Sequence, residues 1–227
     1  MFLAKYSPTG AHEWSKRFGS TQDDEGRALA TDGSGNVFLA GNFKGTVDFG
    51  GGGLLSTGGL DINLVKFDTN GAHQWSKRFG GLFDDRVFGV AVDGSDHPII
   101  TGAYAGTINF GGGGLTWLGG AGDVYLARFD ANGTHQWSRS FGSPNNEQSL
   151  AVAANSVGSV FLTGFFVDPV NFGGGNLIGA GSNDIFCAKY SANGVHQWSK
   201  RLGSTGADVG LGVAVSGLSE VYFAGAF

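Results

Sequence analysis

The chain has 227 residues and a formal net charge of −5, and it contains 43 glycines and 19 phenylalanines. This much glycine argues against a mainly helical protein, and an apolar content of 41% argues against disorder, since a disordered chain lacks the apolar surface that offsets its ordering entropy. The acidic balance argues against a nucleic-acid partner, no apolar run reaches the length of a membrane span, and the single cysteine, Cys187, excludes an internal disulfide and a cysteine-based zinc site.

The predicted elements, taken from the N-terminus, are short strands. Two strands, named c and d, are expected within Phe2–Phe18. The run from Gly26 to Asp32 (strand a) and the run from Val37 to Phe43 (strand b) are linked by "GSGN", which predicts a hairpin. After a glycine-rich insertion come strand c, from Ile62 to Asp68, and strand d, from Ala72 to Phe79. One unit of the chain is therefore four antiparallel strands.

The unit is repeated. The phrase "HQWSKRFG" and its variants recur with tryptophans spaced by 61, 62 and 61 residues, namely Trp14, Trp75, Trp137 and Trp198. Four strands per unit at this period are typical of the blades of a β-propeller. Strand a carries small residues, which suit a crowded inner position, and strand d carries lysine and arginine, which suit a protected outer edge.

The order of the strands predicts an all-β propeller of four blades in one domain, residues 1–227. The chain supplies c and d, then three abcd units at 26–81, 87–142 and 149–203, and finally a and b. We expect the C-terminal pair (209–227) to join the N-terminal pair (2–18) and close the fourth blade of a monomer. The alternative is that the chain is half of an eight-bladed ring made by a dimer.

The repeats resemble a known family. Segments such as "LATDGSGNVFLAG" and "VAVDGSDHPIITG", each followed by a c strand and "HQWSKRFG" or a variant, are similar to the bacterial SBBP-type β-propeller repeat over essentially the whole chain. The resemblance implies a propeller with WD-like blades. Because such repeats occur in many surface or secreted proteins without a common activity, it implies an extracellular or cell-surface location, although no signal peptide follows Met1, and it implies no particular reaction.

Three glycine-rich b-to-c insertions should share one face of the propeller. Glycine runs sometimes bind phosphate, but the lysine and serine or threonine of a phosphate-binding loop are missing here. We therefore interpret each run as an extra hairpin whose phenylalanine caps the blade core, namely Phe49, Phe110 and Phe172. The candidate contacts for a ligand or partner on this face are Trp117, Asp48, Asn109 and Asn171.

Four acidic residues occupy equivalent positions just before strand a, namely Asp24, Asp85, Glu147 and Asp208. A ring of carboxylates at the mouth of the central channel would suit calcium, which prefers several oxygen ligands. The alternative is that each residue caps its own d-to-a turn through backbone N–H groups, a common role of aspartate. The candidate metal site and the turn caps thus use the same residues.

One histidine also recurs in each unit, namely His12, His73, His135 and His196. These residues are too far apart in the predicted ring to form one site, and each shares a strand face with a tryptophan, which predicts packing. The serine three positions later has the opposite strand parity, so we expect no Ser–His dyad.

The residues thus predict a protein without catalytic residues, and without a cofactor other than calcium. The preferred interpretation is a non-enzymatic scaffold or interaction module for a protein or glycan partner, with the insertion face as the contact surface. Two alternatives remain, a carbohydrate-binding propeller and a hydrolase or lyase propeller. A hydrolase or lyase propeller generally needs polar residues that break the symmetry of the blades, and few residues do so here.

Overall fold

The computed structural model describes residues 1–167, 169–217 and 220–227, and all regular structure in these ranges is β-strand. Accordingly, no helix in the described ranges is long and apolar enough to cross a membrane. The strands are β1 (Phe2–Tyr6), β2 (His12–Arg17), β3 (Asp24–Thr31), β4 (Val37–Phe43), β5 (Thr46–Asp48), β6 (Gly53–Leu55), β7 (Asp61–Phe67), β8 (His73–Phe79), β9 (Arg86–Val92), β10 (Pro98–Tyr104), β11 (Thr107–Asn109), β12 (Gly114–Thr116), β13 (Asp123–Phe129), β14 (His135–Phe141), β15 (Gln148–Ala154), β16 (Val160–Phe166), β17 (Val170–Asn171), β18 (Asn176–Leu177), β19 (Asp184–Tyr190), β20 (His196–Leu202), β21 (Val209–Ser216) and β22 (Glu220–Ala226).

Three four-stranded antiparallel sheets follow the predicted a-b-c-d order. Blade 1 is β3-β4-β7-β8, blade 2 is β9-β10-β13-β14 and blade 3 is β15-β16-β19-β20. In blade 1, strands b and c pair in continuous register from Val37 opposite Phe67 to Phe43 opposite Asp61. The structure thus confirms an all-β chain of repeated four-stranded sheets.

The strands nearest the two ends of the chain form two half-blades. The N-terminal half-blade is β1–β2 and the C-terminal half-blade is β21–β22, and each is a separate two-stranded sheet. The sequence predicts that they pair with each other in one chain, but in the structure they do not. Each packs instead on the nearest blade in sequence: Leu3 and Phe18 join the core of blade 1, and β21 lies against β15. Their strand types are complementary, but each is held by packing on its own neighbour.

The core lies between blades. Phe79 at the end of strand d in blade 1 stacks on Phe129 of blade 2, with ring centroids 5.1 Å apart. The inner strands β3, β9, β15 and β21 touch one another in order. A Cβ on Gly89 of β9 would lie only 3.1 Å from Cγ1 of Val152 on β15. This close approach explains why strand a carries small residues.

Candidate interaction face

Each described insertion folds into a short hairpin wedged between blades. The hairpins are β5–β6, β11–β12 and β17–β18. In the second, Phe110 is 2% exposed and its ring lies 5.1 Å from that of Phe79 and 4.8 Å from that of Tyr125. Phe49 and Phe172 hold the same position against Phe18 and Phe141. The prediction of a hairpin whose phenylalanine caps the blade core is confirmed.

The glycine runs of these hairpins leave room for the repeated histidines. A side chain at Gly51 would collide with the imidazole of His73, and Gly50 has a φ of +112°. The second and third hairpins repeat the contact with His135 and His196. In these turns the glycines therefore serve packing and backbone conformation.

The polar residue before each run closes the turn. Oδ1 of Asn109 accepts hydrogen bonds from the backbone N–H groups of Gly111 and Gly113, at 2.7 and 3.2 Å. Asn171 and Asp48 make the same pair of contacts in their hairpins. The hydrogen bonds from the glycine N–H groups hold the pKa of Asp48 below its ordinary value. The proposed partner contacts at these three residues are thus side chains already engaged by their own loops.

Replacing Asn109 by alanine should lower the free energy of unfolding by about 1 kcal/mol, because two backbone donors lose their acceptor. Asn109→Asp keeps the acceptor, as Asp48 does in the first hairpin, and should leave stability nearly unchanged. Urea denaturation of the two variants beside the parent measures the difference. Equal midpoints for Asn109→Ala and the parent would show that the turn does not need its cap.

The histidines depart from the prediction in one respect. Nε2 of His135 lies 3.1 Å from Oγ of Ser138, and His196 makes the same contact with Ser199, so the prediction that no Ser–His pair forms is wrong. The cause is a β-bulge: Phe129 pairs with His135 while Arg128 pairs with Trp137, which shifts the strand parity by one residue.

The bulged Ser–His pair does not complete a catalytic triad. Nucleophilic catalysis by such a pair needs a group that orients the second ring nitrogen. The edge of the His135 ring that carries Cε1 instead lies against the glycine turn, where a Cβ at Gly112 would be 2.3 Å from Cε1. Burial also lowers the pKa of His135. The pair serves packing beneath the hairpin.

The acidic residues before strand a cap their own turns. Asp85 accepts from the N–H of Gly81 at 2.7 Å, and Glu147 accepts from the N–H of Ser143 at 2.9 Å. Asp24 and Asp208 make equivalent bonds to Ser20 and Ser204. The capping alternative is therefore confirmed. Over the described ranges, no three histidine, cysteine or acidic side chains gather in an arrangement suited to a metal ion, and calcium binding stays a prediction.

A second set of buried carboxylates, which the sequence had not led us to expect, lies at the first residue of strand c in each whole blade. Asp61, Asp123 and Asp184 are fully buried. A Cβ at Gly203 would lie 2.5 Å from Oδ1 of Asp184 and 2.7 Å from Oδ2 of Asp208, so the carboxylates of strand c and of the turn lie side by side. The available signal was the recurrence of aspartate at the start of three otherwise apolar runs.

Blade 2 lacks the cation that balances this pair elsewhere. Arg78 binds Asp61 in blade 1, and Arg201 binds Asp184 at 2.7 Å in blade 3. Blade 2 has Ser140 at the equivalent position, and its hydroxyl lies 2.8 Å from that of Tyr104. Burial, with a smaller contribution from the charge of Glu147, raises the pKa of Asp123 to about 7.

Burial likewise raises the pKa of Asp85 to about 7, and the neighbouring charge of Asp61 adds to the shift. The buried carboxylates are therefore titratable near neutral pH, in contrast to ordinary surface aspartates.

The insertion face also carries exposed apolar side chains. We define its apolar patch as Leu55, Leu82, Phe83, Leu118 and Ile178, which are between 55 and 75% exposed. The d-to-a loop of blade 1 reaches the hairpins on both sides, because the Leu82 carbonyl lies against Gly58 and the Phe83 ring lies against Gly106. Trp117, in contrast, is half-buried and packs against the core cluster of blades 1 and 2.

Comparison with known proteins agrees with this architecture. Residues 13–42 match the model of the SBBP family, described as a beta-propeller repeat, which confirms the resemblance of the repeats. The matched residues span strand d of the N-terminal half-blade and strands a and b of blade 1.

Two curated proteins are similar over a larger part of the chain. A protein of Caulobacter vibrioides named "Regulatory protein FlaEY" is 28% identical over 71% of this chain. An "Uncharacterized WD repeat-containing protein L264" of Acanthamoeba polyphaga mimivirus is 20% identical over 85% of it. In each case the match covers 17% of the relative's length.

Proposed function

We propose that the chain is a non-enzymatic interaction scaffold whose insertion face binds a protein partner. The observation that supports this most is the apolar patch, in which five large apolar side chains, each more than half exposed, belong to the three insertions and to the d-to-a loop of blade 1. Exposed apolar side chains that cluster on one face of a folded protein are typical of interaction sites.

The rigidity of the face supports the same function. The patch residues belong to hairpins and turns that are fixed by wedged phenylalanines and capped backbones, so binding would cost little loop ordering. A relative named as a regulatory protein and another named for WD repeats are consistent with an interaction role. The location proposed for the chain remains extracellular or at the cell surface, as in many proteins with this repeat.

A protein partner suits this face better than a glycan. A sugar site commonly offers an aromatic ring as a stacking surface, but Trp117, the aromatic residue that the sequence singled out, packs on the core. Of the five patch side chains, four are leucine or isoleucine and one, Phe83, is aromatic, and aliphatic side chains suit an apolar peptide surface better than a sugar ring.

A peptide-display selection against the immobilised chain tests the proposed function. Selected peptides should be apolar and should bind at least tenfold more weakly to the double variant Leu82→Ser/Phe83→Ser. Val195→Ser is the matched control, because Val195 is 57% exposed but lies on a c-to-d turn of blade 3. Peptides that bind the double variant as tightly as the parent, or binders found only in a glycan panel, would contradict the proposal.

A further inference from the structure

Each half-blade presents one strand without its usual partner. In the three whole blades, strand b pairs with strand c. Within the described part of the chain, strand b of the C-terminal half-blade, β22, pairs only with β21, and strand c of the N-terminal half-blade, β1, pairs only with β2. Each half-blade therefore offers a row of backbone donors and acceptors that matches the row offered by the other.

Large apolar side chains on β22 and β1 are exposed, whereas the side chains at the same repeat positions in whole blades are buried. Tyr222 and Phe227 are 60 and 84% exposed, whereas Phe38 and Phe43 at the same repeat positions are fully buried. Phe2 and Tyr6 are 78 and 59% exposed, and the residues at their positions in blade 2 are the fully buried Tyr125 and Phe129. In a whole blade, the side chains at these repeat positions are therefore buried by the neighbouring strands.

An open groove lies beside β1, at the position where the missing strands would pack. Its volume is about 690 Å³, and it is lined by residues 1–4 of the N-terminal half-blade and by residues 25–29 and Leu39 of blade 1. In the whole blades, strand a of each blade lies against strands a and b of the preceding blade, as β9 lies against β3 and β4. The groove is therefore where strands a and b of a blade preceding blade 1 would lie.

A third feature matches the two ends. The tryptophan and the strand-c cation of each unit donate to one carbonyl in the c-to-d turn of the next unit. The three observed sets are Trp14 and Lys5 to Thr69, Trp75 and Lys66 to Ala131, and Trp137 and Arg128 to Ala192. The next set in the series would be Trp198 and Lys189 to Pro8.

In the described part of the chain, the donor side and the acceptor side of this fourth set both lack the contact seen in the other three sets. No described residue accepts from Nε1 of Trp198. Gly71, Gly133 and Gly194 lie against the tryptophan of the preceding unit, but a Cβ at Gly10, the equivalent glycine, would have no heavy atom within 4 Å. The C-terminal end thus offers donors and the N-terminal end an acceptor at matching positions.

We propose that the partner of these ends is a second copy of the chain. The C-terminal half-blade of one copy pairs with the N-terminal half-blade of the other, with Tyr222 opposite Lys5, Phe223 opposite Ala4 and Ala224 opposite Leu3, as in blade 1. A second copy is favoured because the two half-blades of one chain, although complementary in strand type, are not paired with each other among the described residues. Two copies joined at both ends form the eight-bladed ring. This interface does not involve the insertion face.

Sedimentation velocity of the full chain over a range of concentrations gives the first test. We expect twice the chain mass of 23.4 kDa at high concentration. Phe2→Glu places a charge in the new core and should raise the dissociation constant at least tenfold, whereas Val195→Glu, at another exposed apolar site away from both ends, should not. A chain that stays monomeric at all concentrations would overturn the proposal.

Disulfide trapping gives the second test and separates pairing between copies from pairing within one chain. A mixture of Ala4→Cys and Phe223→Cys chains should form a covalent heterodimer on mild oxidation, because only residues directly opposite each other meet the geometry of a disulfide. The off-register mixture of Ala4→Cys with Tyr222→Cys is the control. If both cysteines in one chain cross-link without a change of mass, while the mixture does not cross-link, the half-blades close within one chain and the proposal is wrong.

Discussion

Lowering the pH from 8 to 5 is expected to stabilise the protein. Asp85 and Asp123 have pKa values of about 7 in the folded state, against an ordinary value of 3.8. Between pH 4 and 7 the folded state therefore binds more protons than the unfolded state, and stability falls as pH rises through this window. The upper limit of the slope is about 1.4 kcal/mol per pH unit for each carboxyl, so the gain from pH 8 to pH 5 is several kcal/mol.

The window ends near pH 4 because Asp85 and Asp123 then bind their protons in the unfolded state as well, and another carboxyl, Asp32, has the opposite shift. Hydrogen bonds from Asn36 and Lys66 outweigh burial and lower the pKa of Asp32, so its contribution is present above pH 4 and is lost below. Protonation of His135, whose pKa is lowered by burial, opposes the gain at pH 5. Each raised carboxyl should contribute its full slope between about pH 5 and 6, where it is protonated in the folded state and still ionised in the unfolded state.

Amide variants separate the two carboxyls. Asp123→Asn keeps the acceptor for the N–H of Leu118, which is 2.9 Å from Oδ2, and removes the charge next to Glu147. It should raise stability at pH 8 and flatten the pH dependence, and Asp85→Asn should act similarly. Asp23→Asn, at an exposed carboxylate, is the control. Chemical denaturation at pH 8, 6.5 and 5 measures these effects. A parent protein that loses stability steadily from pH 8 to 5 would contradict the assignment.

Replacing Phe110 by alanine is expected to cost about 3–5 kcal/mol, as for other large-to-small changes in a close-packed core. The ring is 2% exposed and lies between Phe79 of blade 1 and the aromatic residues of blade 2. Its removal leaves a cavity at the joint between two blades. Loss of a wedge at this joint should also reduce the cooperativity of unfolding, because neighbouring blades are coupled through this core.

The control for this change is Phe83→Ala, at a ring that is 55% exposed on the insertion face. It should cost less than about 1 kcal/mol, as surface changes usually do. Differential scanning calorimetry of both variants gives the free energies and the shape of the transition. If Phe110→Ala and Phe83→Ala had the same melting temperature, the hairpins would be peripheral loops, and their phenylalanines would not couple the blades.

Features that are set by residues close together in the sequence were predictable. The 61-residue repeat, the a-b hairpin and the buried phenylalanine of each insertion depend on strand alternation and turn residues, which act over a few positions. The capping role of Asp85 was also available as an alternative, because an aspartate before a strand commonly closes the preceding turn.

Features that depend on exact register were not predictable. The contact between His135 and Ser138 arises from a one-residue bulge, which the alternation of side chains cannot reveal. The burial of Asp61 and Asp123 depends on how each turn packs on the start of strand c. Whether the half-blades meet in one chain depends on the rotation between successive blades, which accumulates over the whole array.

Hydrogen exchange of the dilute, monomeric chain tests the central claim, that the chain is a row of blades with an open half-blade at each end. Amides on the unpaired sides of β1 and β22 should exchange rapidly, while those of the equivalent paired strands β7 and β4 should be strongly protected. Protection of β1 and β22 should then appear as the concentration rises. Equal protection of the four strands in the dilute monomer would contradict the account, because it would show that the two half-blades already form one blade within a single chain.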